Sequence, residues 1–224
     1  GGKLMKLIWA AAGAAVLMTA ALPGAAKAKE ACAVARPDDG DLKVFAGRYF
    51  AAADHAAIDA LIACLGNPDP AIRDDFAFAL WTQGLRGKQL TADGLRHAMQ
   101  RLTAILAAAD DPSGFRRPFA VLALSEVARA DRVEPFLTDA ELHALAETGA
   151  TYLRGVTDYR GFVEGQGWRH AVAHGADLLM QLALNPRLAR AGADLLLGAI
   201  AAQVAPPGSH AFIHGEARRL ARPL

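Results

Sequence analysis

Apolar residues recur every three or four positions along most of this chain, and no segment sustains an apolar–polar alternation. That period predicts helices and essentially no sheet. Leu42 to Ala52 forms a first short amphipathic stretch. Asp54 can cap the next helix, in which Ile58, Leu61, Ile62 and Leu65 share a face that stops at Gly66. Asn67-Pro68-Asp69-Pro70 is a turn that also opens a helix, with Asp69 as N-cap and Pro70 in the first helical position. Ile72, Phe76, Leu80 and Trp81 make its inner stripe, and Arg73, Asp74 and Asp75 fall in its first turn.

Thr91 opens a helix with Leu95, Met99, Leu102, Ile105 and Leu106 on one side, broken by Asp110-Asp111-Pro112-Ser113-Gly114. A helix from about Arg117 carries Phe119, Leu122, Leu124 and Val127. Thr138-Asp139-Ala140-Glu141 is a capping box for a helix through about Val156. A glycine-rich loop leads to a helix from Gly167 or Trp168 to Leu184. Asn185-Pro186 then starts another, which runs to Val204 and stops at Pro206-Pro207-Gly208. A last short helix covers about Phe212 to Ala221.

Helices of this length joined by short turns define an all-α chain of antiparallel pairs, a short α-solenoid or compact helical array. The stretch LIACLGNPDPAIRDDFAFAL resembles a HEAT-type repeat, and later pairs lack its pattern.

Composition changes the picture mainly at the N-terminus. The 224 residues are 53% hydrophobic and 21% charged, with a formal charge of +1. From Met5, Lys6 is followed by an apolar run to Leu22, a Pro23-Gly24 break and Ala26-Lys27-Ala28. This reads as a secretory signal peptide cut after Ala28; the alternative is an N-terminal membrane anchor, for which the run is short. The expected organisation is therefore 1–28 signal peptide, 29–41 flexible segment and 42–224 one helical domain, exported and periplasmic, with no transmembrane span after cleavage. Without Lys3, Lys6 and Lys27 the chain keeps 21 bases against 23 acids, a formal charge of −2. No basic run remains, which argues against nucleic acid as a partner. Cys32 and Cys64 are either a disulfide, as an oxidising compartment allows, or two buried thiols.

The candidate chemistry lies between Asp158 and Asn185. On a continuous helix, His170, His174 and Asp177 fall on one face, where two imidazoles and a carboxylate can hold a divalent metal such as zinc. Glu164, His210, His214 or Glu216 could complete such a site, with Glu164 or Glu216 as general base. Ala171 stands where zinc-protease helices carry their glutamate. Against this, both histidines could simply be hydrogen-bonded in the core. The loop before the helix offers Asp158, Arg160 and Trp168 among Gly161, Gly165 and Gly167. Either these residues pin the loop, with Trp168 buried, or they wall a pocket.

GWRHAVAHGADLL (167–179), preceded by DYRGF (158–162), resembles the signature of an uncharacterised bacterial family, domain of unknown function number 2785. DPAIRDDFAFAL, RRPFAVLAL and HGEARRLA are supporting matches. The resemblance implies a domain over most of the chain from Lys29 onward, no established activity, and a set of motif residues. These are Arg73, Asp74, Arg117, Asp158, Arg160, Trp168, His170, His174, Asp177, Glu216 and Arg219. Two readings follow. One is a binding module with a groove around the tryptophan–histidine helix, taking a small anionic ligand or a peptide or protein. The other is a metal-assisted hydrolase using His170, His174 and Asp177. A third is a purely structural partner protein with satisfied core histidines and no pocket.

Overall fold

The computed structural model describes residues 32–37, 40–108, 111–206, 208 and 210–224. The expected signal peptide lies outside them. Over the described residues the chain is all-α apart from one small hairpin. In order it forms α1 (Leu42–Ala51), α2 (His55–Cys64), α3 (Pro70–Ile72), a π-helical segment (Arg73–Phe78), α4 (Ala79–Arg86), α5 (Ala92–Ala107), α6 (Arg116–Val133) and α7 (Asp139–Arg154). The strands β1 (Phe162–Val163) and β2 (Gly167–Trp168) follow, then α8 (Ala171–Ala183), α9 (Arg190–Val204) and α10 (Glu216–Leu220).

The helix starts follow from side chains that satisfy orphan amides. Asp41, Asp54, Asp69, Thr91 and Thr138 each accept a bond from a first-turn N–H. At Thr138 the box closes, because Glu141 reaches back to the Thr138 N–H at 2.7 Å.

Three local expectations are corrected. The run from Pro70 to Arg86 is not one regular helix. Its π-helical turn at 73–78 widens the spiral, and Arg73 is carried into the core at 0% exposure. The helix expected from Asn185-Pro186 begins only at Arg190. Asn185 is occupied otherwise: its side-chain Nδ2 donates to the buried Asp131 carboxylate at 2.9 Å, and its side-chain Oδ1 accepts from Arg187 N–H. The glycine-rich loop contains a sheet, with Phe162 paired to Trp168 and Val163 to Gly167.

Buried apolar side chains from α1 to α10 belong to one cluster. Helix α8 sits against α6, α7, α9 and α10, with α6 its most extensive partner. Gly149 and Gly175 set the α7–α8 distance: a Cβ at Gly149 would come 3.0 Å from Leu178, and one at Gly175 would come 3.1 Å from Leu153. A disulfide joins Cys32 to Cys64, tying the segment before α1 to the end of α2. Among the described residues no helix is long and apolar enough to cross a membrane.

Candidate functional site: an arginine-locked hairpin beside a histidine cluster

The hairpin turns over Glu164, Gly165 and Gln166, with Gly165 at φ 73 and Gly167 at φ 78. A glycine in left-handed geometry is what a three-residue hairpin loop needs. Gly167 also has no room for a side chain, since a Cβ there would lie 2.8 Å from Arg73 Nη2.

Two arginines fix the hairpin from below. Arg73 donates to the carbonyls of Asn67 (3.0 Å), Pro68 (3.2 Å) and Gln166 (2.9 Å), and its Nη2 lies 2.7 Å from Asp74 Oδ2. Burial lowers the Arg73 pKa and raises that of Asp74, each opposed by the charge of the other. Arg169 donates to the Ser113 carbonyl at 3.1 and 3.0 Å and to the Gln166 side chain at 2.8 Å. Phe115 lies between the two guanidinium groups, 3.9 Å from Arg73 Cζ and 4.1 Å from Arg169 Cζ. A desolvated cation–π contact of this kind contributes about 2 kcal/mol.

Asp158 and Arg160 pair with each other at the base of the loop. Burial alone would raise the Asp158 pKa; the Arg160 hydrogen bonds outweigh it and hold the carboxyl below its usual range. Gly114 makes this approach possible, because a Cβ there would meet Arg160, Asp158 and Arg169 at 2.6 to 3.1 Å. A cavity of about 140 Å³ opens beside the pair, lined among others by Asp111, Arg117, Tyr152 and Asp158. It has room for a few waters or a small polar group. Asp111 is already engaged as an acceptor for the N–H groups of Gly114, Arg116 and Arg117.

The histidines do not share a helix face. His170 stands before α8 in the left-handed region at φ 50, and the helix begins at Ala171. The one-face geometry fails because His170 ends the hairpin strand, its N–H bonded to the Arg160 carbonyl at 3.3 Å. His174 is buried in the α8–α6 interface, its Nδ1 3.2 Å from the Pro118 carbonyl and its ring edge-on to Phe119. Burial, with His170 nearby, pushes its pKa down to about 3. Asp177 accepts from Arg219 Nη1 at 2.8 Å, and burial still pushes its pKa up to about 6 against the pull of Arg219 and Arg222. Among the described residues no three His, Cys, Asp or Glu side chains are grouped to hold a metal.

What gathers instead is an aromatic–imidazole cluster. His170 lies 4.1 Å from the Trp168 ring, 5.9 Å from His174 and 6.2 Å from His214. His214 meets Trp168 edge-on at 5.6 Å and rests on Gly161, which has no space for a Cβ. His210 stacks on Tyr159 at 4.6 Å. Glu216 is buried and accepts the His214 N–H at 2.9 Å, with its Oε1 4.0 Å from His170 Nε2. That nitrogen is buried and has no hydrogen-bond partner among the described residues. Burial lowers the His170 pKa, against the raising effect of Glu216. The crevice lined by His170, Phe212 and Glu216 admits no water-sized body. Glu164 is on the exposed hairpin turn.

Trp168 is not the buried plug that a helix start would make it. It is 38% exposed and packs at 5.1 Å on Phe162, which is 50% exposed. Sequence reasoning missed Arg169, Phe115 and Gly114, although Arg169 sits inside the motif. An arginine next to a surface tryptophan reads as solvated until the hairpin turns it inward.

These features define an all-helical protein with a hairpin clamped by arginines. The family model described as "Protein of unknown function (DUF2785)" matches residues 102–224, more than half of the chain, and the protein belongs to that family. No curated protein and no solved structure matches it.

Proposed function

We propose that this protein is a binding module whose hairpin face takes an apolar segment of a partner protein. The observation that carries this reading is the exposed Phe162–Trp168 pair, presented on a hairpin that Arg73 and Arg169 hold rigid. Exposed aromatic rings on a preorganised element lose little conformational freedom on binding, which is why they anchor interfaces. A small anion gripped by the loop is less supported. Arg73, Arg160 and Arg169 are all engaged within the protein, leaving Arg117 as the one motif arginine lining the 140 Å³ cavity. The hydrolase alternative needs His170, His174 and Asp177 to converge, whereas Asp177 is paired with Arg219 and His174 Nδ1 with the Pro118 carbonyl.

The packing order supports a short HEAT-like solenoid. Helices α4, α6, α8 and α10 contact in succession, as do α2, α5, α7 and α9. Export to the periplasm is part of the same proposal, and the Cys32–Cys64 disulfide supports an oxidising compartment.

The test is selection of displayed peptides on the wild-type protein, then on a Phe162→Ser/Trp168→Ser variant. Peptides with apolar anchors that bind only the wild type are expected. Selected peptides that bind both proteins equally would overturn the reading.

A further inference from the structure

A second site lies outside the 158–177 segment. Where α4 and α6 end and α5 begins lies a cavity of about 390 Å³ that is partly open to solvent. That volume lies near the lower end of the ~300–1,000 Å³ usual for small-molecule sites. Taking a water's share of liquid as ~30 Å³, it accommodates about a dozen non-hydrogen atoms. Leu85, Leu90, Leu95, Val133 and Phe136 give it an apolar wall.

Its charged lining is Arg86, Lys88, Arg129 and Glu134, three cations against one anion. Two of the cations are already paired. Arg86 forms a two-point bond with Glu126 at 3.0 and 2.5 Å, and Lys88 Nζ is 2.8 Å from Glu134. Arg129 has no hydrogen bond or ion pair among the described residues. An apolar chamber with one uncompensated guanidinium at its wall complements a ligand with an apolar body and a single negative head.

We propose that this cavity binds a small amphiphilic monocarboxylate of about a dozen non-hydrogen atoms. The chain or ring of the ligand lies against Leu85, Leu95 and Phe136, and its carboxylate pairs with Arg129. The inference rests on this cavity alone and not on the hairpin face.

Decanoate is a suitable probe, followed by calorimetry on the purified protein, with decan-1-ol as its uncharged counterpart. Arg129 is a partly exposed residue on α6, so Arg129→Gln should stay folded, which its thermal melt checks. Binding of decanoate that falls at least tenfold in Arg129→Gln, with decanol bound at least tenfold more weakly, supports the site. The Phe162→Ser/Trp168→Ser variant should bind decanoate as the wild type does. Absence of binding at millimolar decanoate, equal affinity in Arg129→Gln, or equal affinity for decanol would each overturn the proposal.

Discussion

Arg73 Nη2 donates to the Gln166 carbonyl at 2.9 Å, a bond that spans 93 positions of sequence. It joins the first half of the chain to the hairpin turn. The guanidinium that makes it has no exposed surface, and Asp74 beside it is its counter-charge. Replacing Arg73 by methionine leaves the Asn67, Pro68 and Gln166 carbonyls without this donor and Asp74 without its cation. Breaking a buried charged pair costs about 3–5 kcal/mol. The variant should melt at least ~6 °C below the wild type in a calorimetric scan. A change below about 1 kcal/mol would mean that the hairpin stands without the lock.

Gly161 and His214 are expected to behave as a coupled pair. A Cβ at position 161 would fall 2.0 Å from His214 Cδ2, so Gly161→Ala must displace the imidazole. Overpacking of this kind costs about 1–3 kcal/mol. In a His214→Ala background the same substitution should cost much less, by chemical denaturation of the four proteins of the cycle. Additive losses would show that His214 does not rest on Gly161 in solution.

The disulfide closes a loop of 32 residues' separation. Constraint of the unfolded chain by such a loop is worth about 3–4 kcal/mol. Cys32→Ser/Cys64→Ser should therefore unfold at a lower denaturant midpoint with α6 to α10 still assembling, since their contacts lie elsewhere. Indistinguishable midpoints would remove the disulfide from the account of stability.

Stability should depend on pH through His174. Its folded pKa of about 3 lies below its ordinary 6.5, so the unfolded chain takes the proton first. The contribution is fully present above pH 6.5 and is lost as pH falls towards 3, at up to about 1.4 kcal/mol per pH unit. Asp177 acts in the opposite sense: raised from 3.8 to about 6, it costs the fold stability as pH rises through that range. His174→Gln removes only the first effect. Its stability relative to the wild type should improve steadily as pH falls from 6.5 to 4, measured by urea unfolding at each pH. A difference that is constant across that range would show that His174 does not titrate with folding.

The elements that could be read from sequence were those with local causes. The Thr138–Glu141 box and the Asp69-Pro70 start depend on neighbours within three residues, and both stand where the pattern puts them. The hairpin was less legible, because paired strands of two residues leave no alternation to detect. Its one signal was the Gly165 and Gly167 spacing around a three-residue turn. Reading that turn as loop moved the start of α8 upstream and put His170 on a helix face it does not occupy. The inward turn of Arg73 and Arg169 had no local signal at all. It depends on Phe115, on the Gln166 carbonyl for Arg73 and on the Ser113 carbonyl for Arg169, which only the assembled fold brings to them.

The measurement closest to the central claim is site-specific photo-crosslinking in the cell compartment where the protein resides. A photoreactive phenylalanine analogue replaces Phe162, 50% exposed, in one protein and Leu184, 56% exposed, in another. The account predicts one identified protein crosslinked from position 162 and not from 184, and lost when Trp168→Ala is added. Its purified form should then bind the unmodified chain. No crosslink at 162, or the same products from 162 and 184, would contradict a partner-binding hairpin.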